Sequence, residues 1–348
     1  MAFGHYSLYS QTDSTYNPKD DFSLSAFPLA FFLPETGLAF GGLGQTVFNI
    51  GKEKSWRKSQ IQLGVAYTLK NQLLIFAPFE LYLKQNWKIN GEIGYYRYFY
   101  NFYGIGINSS KDNLEFYDAN YPRIISTVSY RFTDNLLAGI SYRFDNFEVP
   151  NTDSLLTAIN PIGINGGVIN TLGIELAYDS RDDIFYPSRG IFTTLKIDNS
   201  SNITFSDFDY WSILLSISYY TPLSDNHILA INYTTGSQIG YAPFYNYFYL
   251  SSGKNARGFD DRRFIDKNIN LLQAEYRFPI YKRLRGCAFT SLGTVANTYS
   301  ELYSNPQKFS YGAGLRFQLN KKQKSHVRAD VAHGYEGLQF YVTIGEAF

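Results

Sequence analysis

Four histidines (His5, His227, His326 and His333) and one cysteine, Cys287, are the side chains of this 348-residue chain best suited to acid–base, nucleophilic or metal chemistry. None sits in a context that would use it. No Gly-x-Ser-x-Gly element is present, the lone cysteine has no disulfide partner or metal-ligand spacing, and no phosphate-cradling loop opens a helix. The sequence calls for no enzyme activity, no cofactor and no metal. Two charged motifs remain. Asp179-Ser180-Arg181-Asp182 followed by Tyr186-Pro187-Ser188-Arg189-Gly190 reads as an ionic turn in which Pro187 and Gly190 make a tight connection. Ala256-Arg257-Gly258-Phe259 sets a guanidinium beside a glycine able to adopt a backbone shape that a side chain would strain, and beside an aromatic anchor.

The elements that carry these residues are strands. Ile61, Leu63, Val65 and Tyr67 alternate with Gln60, Gln62, Gly64 and Ala66; Phe309, Tyr311, Ala313, Leu315 and Phe317 alternate with Ser310, Gly312, Gly314, Arg316 and Gln318. Segments of this kind are expected at 22–32, 38–49, 57–68, 72–83, 87–100, 122–132, 136–149, 170–183, 190–199, 209–222, 226–240, 268–281, 284–296, 309–319, 325–334 and 338–348. That is about sixteen, an even number suited to a single-chain bacterial barrel. Most run about ten residues or more, longer than the five or six usual in a soluble sandwich. Aromatics make up 18% of the chain, as the girdles of a membrane barrel require, and mean hydropathy is slightly negative because alternate residues face a polar lumen. No apolar run is long enough for a membrane helix. A net charge of +1 excludes a strongly basic nucleic-acid binder. The fold expected is therefore all-β, a transmembrane antiparallel β-barrel spanning 22–348, preceded by a short periplasmic lead at 1–21 too small for a domain. No signal peptide is visible at Met1–His5.

Connections alternate too. Thr133–Asn135, Leu223–Asp225 and Lys282–Arg283 are short, whereas 101–121, 150–169, 241–267 and 297–308 are long and fall on the opposite side, the pattern of periplasmic turns and outer loops.

The sixth outer loop contains Arg257-Gly258-Phe259, and here the chain resembles the Omp85 superfamily (assembly factors of the BamA and TamA type, two-partner secretion transporters and bacterial surface antigens). Leu33-Pro34-Glu35-Thr36-Gly37-Leu38, the Asp179–Gly190 turn, Glu275-Tyr276-Arg277-Phe278-Pro279 and the terminal Phe348 are similar to further motifs of that family. The resemblance implies that the sixth loop folds into the lumen and that Arg257 pairs with acidic residues on the twelfth and thirteenth strands. Glu275, on the parity of Gln273 and Arg277, is the first partner expected. At the second family position stands Ser291, which can accept a hydrogen bond but supplies no charge; Asp260 or Asp261 could substitute locally.

The resemblance also implies a lateral seam between first and last strands. Pro28, which cannot donate to a ladder, and Gly345 would weaken pairing there. Phe340, Tyr341 and Phe348 resemble the C-terminal signal by which outer-membrane proteins are recognised for insertion. The expected function is assistance of protein insertion or translocation at the bacterial outer membrane. Outer-membrane lipids and client or partner proteins are the expected partners, with no nucleic acid. About twenty leading residues cannot hold a POTRA domain, so such a domain was removed, is supplied by a partner, or is absent from a barrel-only member. A passive porin-like channel and a structural barrel that anchors or exports a partner are the alternatives.

Overall fold

The structure, a computed structural model, describes residues 22–33, 37–50, 58–84, 86–150, 152, 154–318, 324 and 326–348, and side chains throughout these except at 27, 29–33 and 344. The lead at 1–21 and the Pro34–Thr36 turn lie outside the described residues. The first eight strands are β1 (Phe22–Leu33), β2 (Gly37–Phe48), β3 (Ser59–Thr68), β4 (Leu73–Leu83), β5 (Trp87–Phe102), β6 (Glu115–Arg131), β7 (Leu136–Phe147) and β8 (Gly167–Asp179). They are followed by β9 (Gly190–Ser200), β10 (Tyr210–Ser224), β11 (His227–Gly240), β12 (Phe248–Tyr249) and β13 (Ile265–Asp266). The last five are β14 (Asn268–Tyr281), β15 (Leu284–Ala296), β16 (Lys308–Gln318), β17 (His326–Gly334) and β18 (Gly337–Ile344). All but β12 and β13 join one antiparallel barrel in chain order, with β18 returning to β1; β12 and β13 form a separate two-stranded sheet inside the 241–267 connection. Among the described residues no helix is long and apolar enough to cross a membrane.

The barrel is inside-out relative to a soluble protein. On β3, Gln60, Gln62, Ala66 and Thr68 are buried while Ile61, Leu63, Val65 and Tyr67 are exposed. Period-two alternation leaves only these two faces, and placing the apolar one outward gives a band for lipid and a polar lumen. The long connections 103–114, 148–166, 241–267 and 297–307 emerge on one side, which we take as outer, opposite the short turns at 132–135, 225–226 and 282–283. The 49–58 and 180–189 connections depart from the rule: they are on the short side but each ten residues long.

Among the strand boundaries that differ from those expected, β8 running Gly167–Asp179 in place of 170–183 included, two shape the lumen. β6 begins at Glu115, not 122, and pairs with β5 up to Phe102. Asp118 and Asn120 suggest a loop, but they alternate with buried Tyr117, Ala119 and Tyr121, whose packing holds the hairpin together above the membrane. The last strand stops at Ile344, not 348. Gly345 takes φ +83°, its N–H bonds the His326 carbonyl at 2.9 Å, and the tail turns into the barrel.

The outer half of the lumen is filled. Rings from β6, β7 and the sixth outer loop stack in a row, Tyr121 on Phe147 at 4.1 Å and Phe147 on Tyr245 at 4.2 Å between centroids, with Phe244 against Tyr117 at 5.0 Å. Burial of these large rings is the main hydrophobic term available inside the barrel.

Candidate functional site: the luminal latch and the seam

The sixth outer loop descends into the lumen through its Arg257-Gly258-Phe259 segment. Arg257 is 2% exposed and lies over the Phe289 ring at 3.5 Å. Its Nη2 donates to Glu275 Oε1 on β14, and its Nη1 donates to Asp330 Oδ2 on β17 at 2.6 Å. The second carboxylate is thus Asp330, on the fifteenth strand of the barrel, and not a group at Ser291. Ser291 is luminal, but its hydroxyl pairs with that of Ser310 at 2.6 Å. Asp260 does not substitute either, because it accepts from Tyr103 at 3.1 Å and from Gln339 at 2.6 Å.

These groups belong to a larger ionic network. Glu275 Oε2 also accepts from Arg277 Nε at 3.0 Å and Nη2 at 2.8 Å. Asp330 also accepts from Arg316 and lies 3.4 Å from Arg328 Nε. Glu346, in the inturned tail, accepts from Arg316 Nε at 2.9 Å. Four guanidiniums, Arg257, Arg277, Arg316 and Arg328, therefore share Glu275, Asp330 and Glu346. Desolvated charges of this kind persist only when each finds opposite charge with good hydrogen-bond geometry.

The backbone of the loop is held as firmly as its arginine. Gly258 takes φ +113°, and a Cβ there would meet Gly334 N and His333 C at 2.9 Å, so the loop can approach β17 this closely only with glycine. Its N–H donates to Tyr341 Oη on β18 at 3.0 Å, and that hydroxyl donates to the Phe259 carbonyl at 3.2 Å. Arg328 Nη2 donates to the Gly253 carbonyl at 2.6 Å, and Arg263 Nε to Glu336 in the β17–β18 turn at 2.8 Å. Most of these tethers end on the β17–β18 hairpin.

Tyr341 thus faces the lumen at 3% exposure, whereas Phe340 faces outward at 56%. Phe348 does not continue the outward face, because its carbonyl accepts from Arg277 Nη2 at 3.1 Å inside the barrel.

At the seam, the described residues give β1 and β18 one registered pair, Phe32 with Val342. By contrast, β1–β2 runs unbroken from Phe22–Phe48 to Leu33–Gly37, and β17–β18 from Val327–Ile344 to Gly334–Gly337. The stagger limits the overlap to four opposed positions: the register carries Leu338–Phe340 beyond the end of β1 at Leu33, and carries Phe22–Leu29 beyond the end of β18 at Ile344. Pro28 and Gly345 therefore lie outside the part of the seam where β1 and β18 oppose each other. Pro28 pairs with Gly42 of β2, and Gly345 ends β18.

The Asp179–Gly190 turn closes the opposite end. Arg181 Nε and Nη2 both donate to Asp179 at 2.8 Å, and Arg181 covers the Phe192 ring at 4.0 Å. Asp182 accepts from the Ser188 N–H at 2.9 Å, from the Ser188 hydroxyl and from the Arg189 N–H at 3.2 Å; partial burial raises its pKa, but these donors outweigh that and hold it below the usual carboxylate value. Past Pro187, Gly190 takes φ +109°. The turn inserts Tyr186 into the mouth, beside His326 at 4.5 Å between rings and under Arg285 at 4.8 Å.

Asp330, Arg328, Arg316, Glu346 and Tyr186 were not singled out from the sequence. For Asp330 the signal is present: His326, Arg328 and Asp330 share one parity, opposite Val327, Ala329 and Val331. Three ionisable residues on one face of a membrane strand must face the lumen.

A model of the Omp85 superfamily domain matches residues 39–348. Among solved structures the chain is similar to BamA from Haemophilus ducreyi lacking POTRA domains 1–3, with TM-score 0.64 and 15% identity over 93% of this chain and 70% of that one. It is similar also to CdiB from Acinetobacter baumannii (TM-score 0.59, 11% identity) and CdiB from Escherichia coli (TM-score 0.62, 10% identity). Each CdiB match covers 93% of this chain, and the chain spans 59% and 61% of their respective lengths. A search of curated protein sequences finds no match. With most of its length matched by the family model and its barrel shared with these proteins, the chain is an outer-membrane β-barrel belonging to the Omp85 superfamily.

Proposed function

We propose that this barrel assists insertion or translocation of proteins at the outer membrane through the seam between β1 and β18, with the sixth-loop latch controlling the seam. Membership of the superfamily supports the general role. The observation that carries the seam is that the described residues give it one registered pair beside long ladders on both flanks. Unpaired strand edges are templates for another chain, so a client strand could add to β1 or β18 by edge pairing. The latch bears on the same place, because Asp330, Tyr341 and Gln339 tie the loop to the hairpin that forms one side of the seam. In this reading Phe340, Tyr341 and Phe348 form the chain's own insertion signal, and the Asp179–Gly190 turn is a structural closure. The barrel is non-enzymatic. It works with outer-membrane lipids and with a client or a periplasmic, POTRA-bearing partner.

Cysteines at Phe32 and Val342 test the seam, since directly opposed residues lie close enough to bridge. Oxidation should stop insertion of a client barrel into vesicles and reduction should restore it; full activity of the crosslinked form would remove the gate. The filled lumen disfavours a passive porin, which needs an open aqueous path.

A further inference from the structure

We propose that the β15–β16 and β9–β10 connections are interfacial anchors, which run along the outer wall of the barrel and set Tyr303, Ile203 and Phe205 in the headgroup–acyl boundary of the outer leaflet. The connections at 103–114, 148–166 and 241–267 bury Tyr103, Leu156 and Phe244. Those at 297–307 and 201–209, on the same side of the barrel, instead present exposed apolar and aromatic side chains beside the wall.

Asn268 of β14 and Thr294 and Ala296 of β15 have the parity of the exposed Leu272 and Leu292 and so point outward, yet all three are buried. The β15–β16 connection covers them. Asn268 Nδ2 donates to the Asn297 carbonyl at 2.8 Å, Thr294 Oγ1 donates to the Pro306 carbonyl at 3.0 Å, and Leu302 is buried in the turn Ser300–Tyr303. Tyr299 reaches across β14 to β11, where its hydroxyl meets that of Thr235 at 3.3 Å. Thr235 lies nearer the bilayer centre than Ile239, which is outward, apolar and exposed on the same strand. The connection is therefore alongside the lipid-facing band and not above it. Tyr303, 75% exposed, leaves this surface beside Tyr299, with ring centroids 6.1 Å apart. A tyrosine so placed offers its ring to acyl chains and its hydroxyl to headgroups and water.

On the neighbouring wall the chain stays on the edge of β8 after β9 ends at Ser200. Thr204 Oγ1 donates to the Asn170 carbonyl at 2.6 Å, and the Asp207 N–H to the Val168 carbonyl at 3.0 Å. From this pinned turn Ile203 and Phe205 project with 86% and 85% exposure. Phe205 takes φ +60°, a left-handed backbone that is costly for a bulky residue, and its ring gains almost no burial within the chain in return. A lipid surface supplies that burial. Neither connection contains Lys or Arg, so the contact is with the apolar boundary and not with lipid phosphate. The anchors stand whether or not the seam opens.

The test uses the full chain folded in phosphatidylcholine vesicles and nitroxide labels at single cysteines, Tyr303→Cys, Ile203→Cys or Phe205→Cys, in a Cys287→Ser background. Asp112→Cys, at an exposed position of the 103–114 connection, is the reference in water. Power saturation compares collisions of the label with oxygen, which concentrates in lipid, and with a neutral nickel chelate, which stays in water. The ratio of oxygen to nickel collisions at 303, 203 and 205 should be several-fold that at 112. Folding is read from heat-modifiable gel mobility, and each site is measured separately, so that a variant that fails to fold leaves the other sites to decide. A ratio at any folded site equal to that at 112 would overturn the assignment. So would protection from both reagents that is lost when the protein is diluted in lipid, since it would mark a surface covered by a second copy of the chain.

Discussion

Replacing Asp330 by Asn keeps the shape of the side chain and removes its charge from the luminal network. Asp330 is 2% exposed and serves three guanidiniums: Arg257 at 2.6 Å, Arg316, and Arg328 at 3.4 Å. Breaking a buried ion pair by removing one partner costs about 3–5 kcal/mol, because the remaining charge is stranded. Glu275 still holds Arg257, and Glu346 still holds Arg316, so the lower end, about 3 kcal/mol, is expected. Ser291→Ala is the comparison. That hydroxyl makes a neutral hydrogen bond to Ser310, and its loss should cost about 1 kcal/mol. The assay is urea unfolding of protein refolded into lipid vesicles, followed by tryptophan fluorescence and heat-modifiable gel mobility. If Ser291→Ala destabilises as much as Asp330→Asn, the second anchor of the latch has been misassigned and the argument from the charge network fails.

Exchanging the latch charges, with Arg257→Glu and Glu275→Arg together, should fail to restore stability in the same unfolding assay, because the new carboxylate would face Asp330 and Arg277 would lose its partner. Full rescue would show that Arg257 and Glu275 act as an isolated pair. In a planar bilayer the protein should show small, irregular conductance, and deletion of 243–266 should enlarge it by removing Phe244 and Tyr245 from the ring stack; large steady openings of the intact chain would contradict the filled lumen. In the loop sheet, burial pushes the Asp266 carboxyl up to about 6 despite the neighbouring Lys267. The folded state therefore favours the protonated acid, so local stability is greatest at low pH and is lost as pH rises from about 4 to about 6. Hydrogen exchange at the Leu250 amide, which donates to the Phe264 carbonyl at 3.0 Å, corrected for its intrinsic rate, should be slower at pH 5 than at pH 7.5, and Asp266→Asn should abolish the difference. Unchanged protection would mean that Asp266 is not strained by burial.

Alternation alone was enough for the barrel, because a strand has only two faces and a membrane accepts only one of them. It placed Glu275, Gln273 and Arg277 in the lumen, and it would have placed Asp330 there as well had the parity of His326, Arg328 and Asp330 been followed. Local motifs likewise made the Asp179–Gly190 turn legible, since its bonds join residues at most about a dozen positions apart. Long-range partnership was not legible. Arg257 and Asp330 are 73 positions apart, and only closure of the barrel brings the fifteenth strand across the lumen from the descending sixth loop. The seam was similarly beyond local reading: Pro28 and Gly345 look like breaks within its ladder, but the stagger of β1 against β18 carries both positions past the part where the two strands oppose each other. Sequence periodicity determined which side of the wall each residue occupies, while tertiary closure decided which residues meet across it, because hydrogen-bond register and loop descent are properties of the whole ring and not of any one strand.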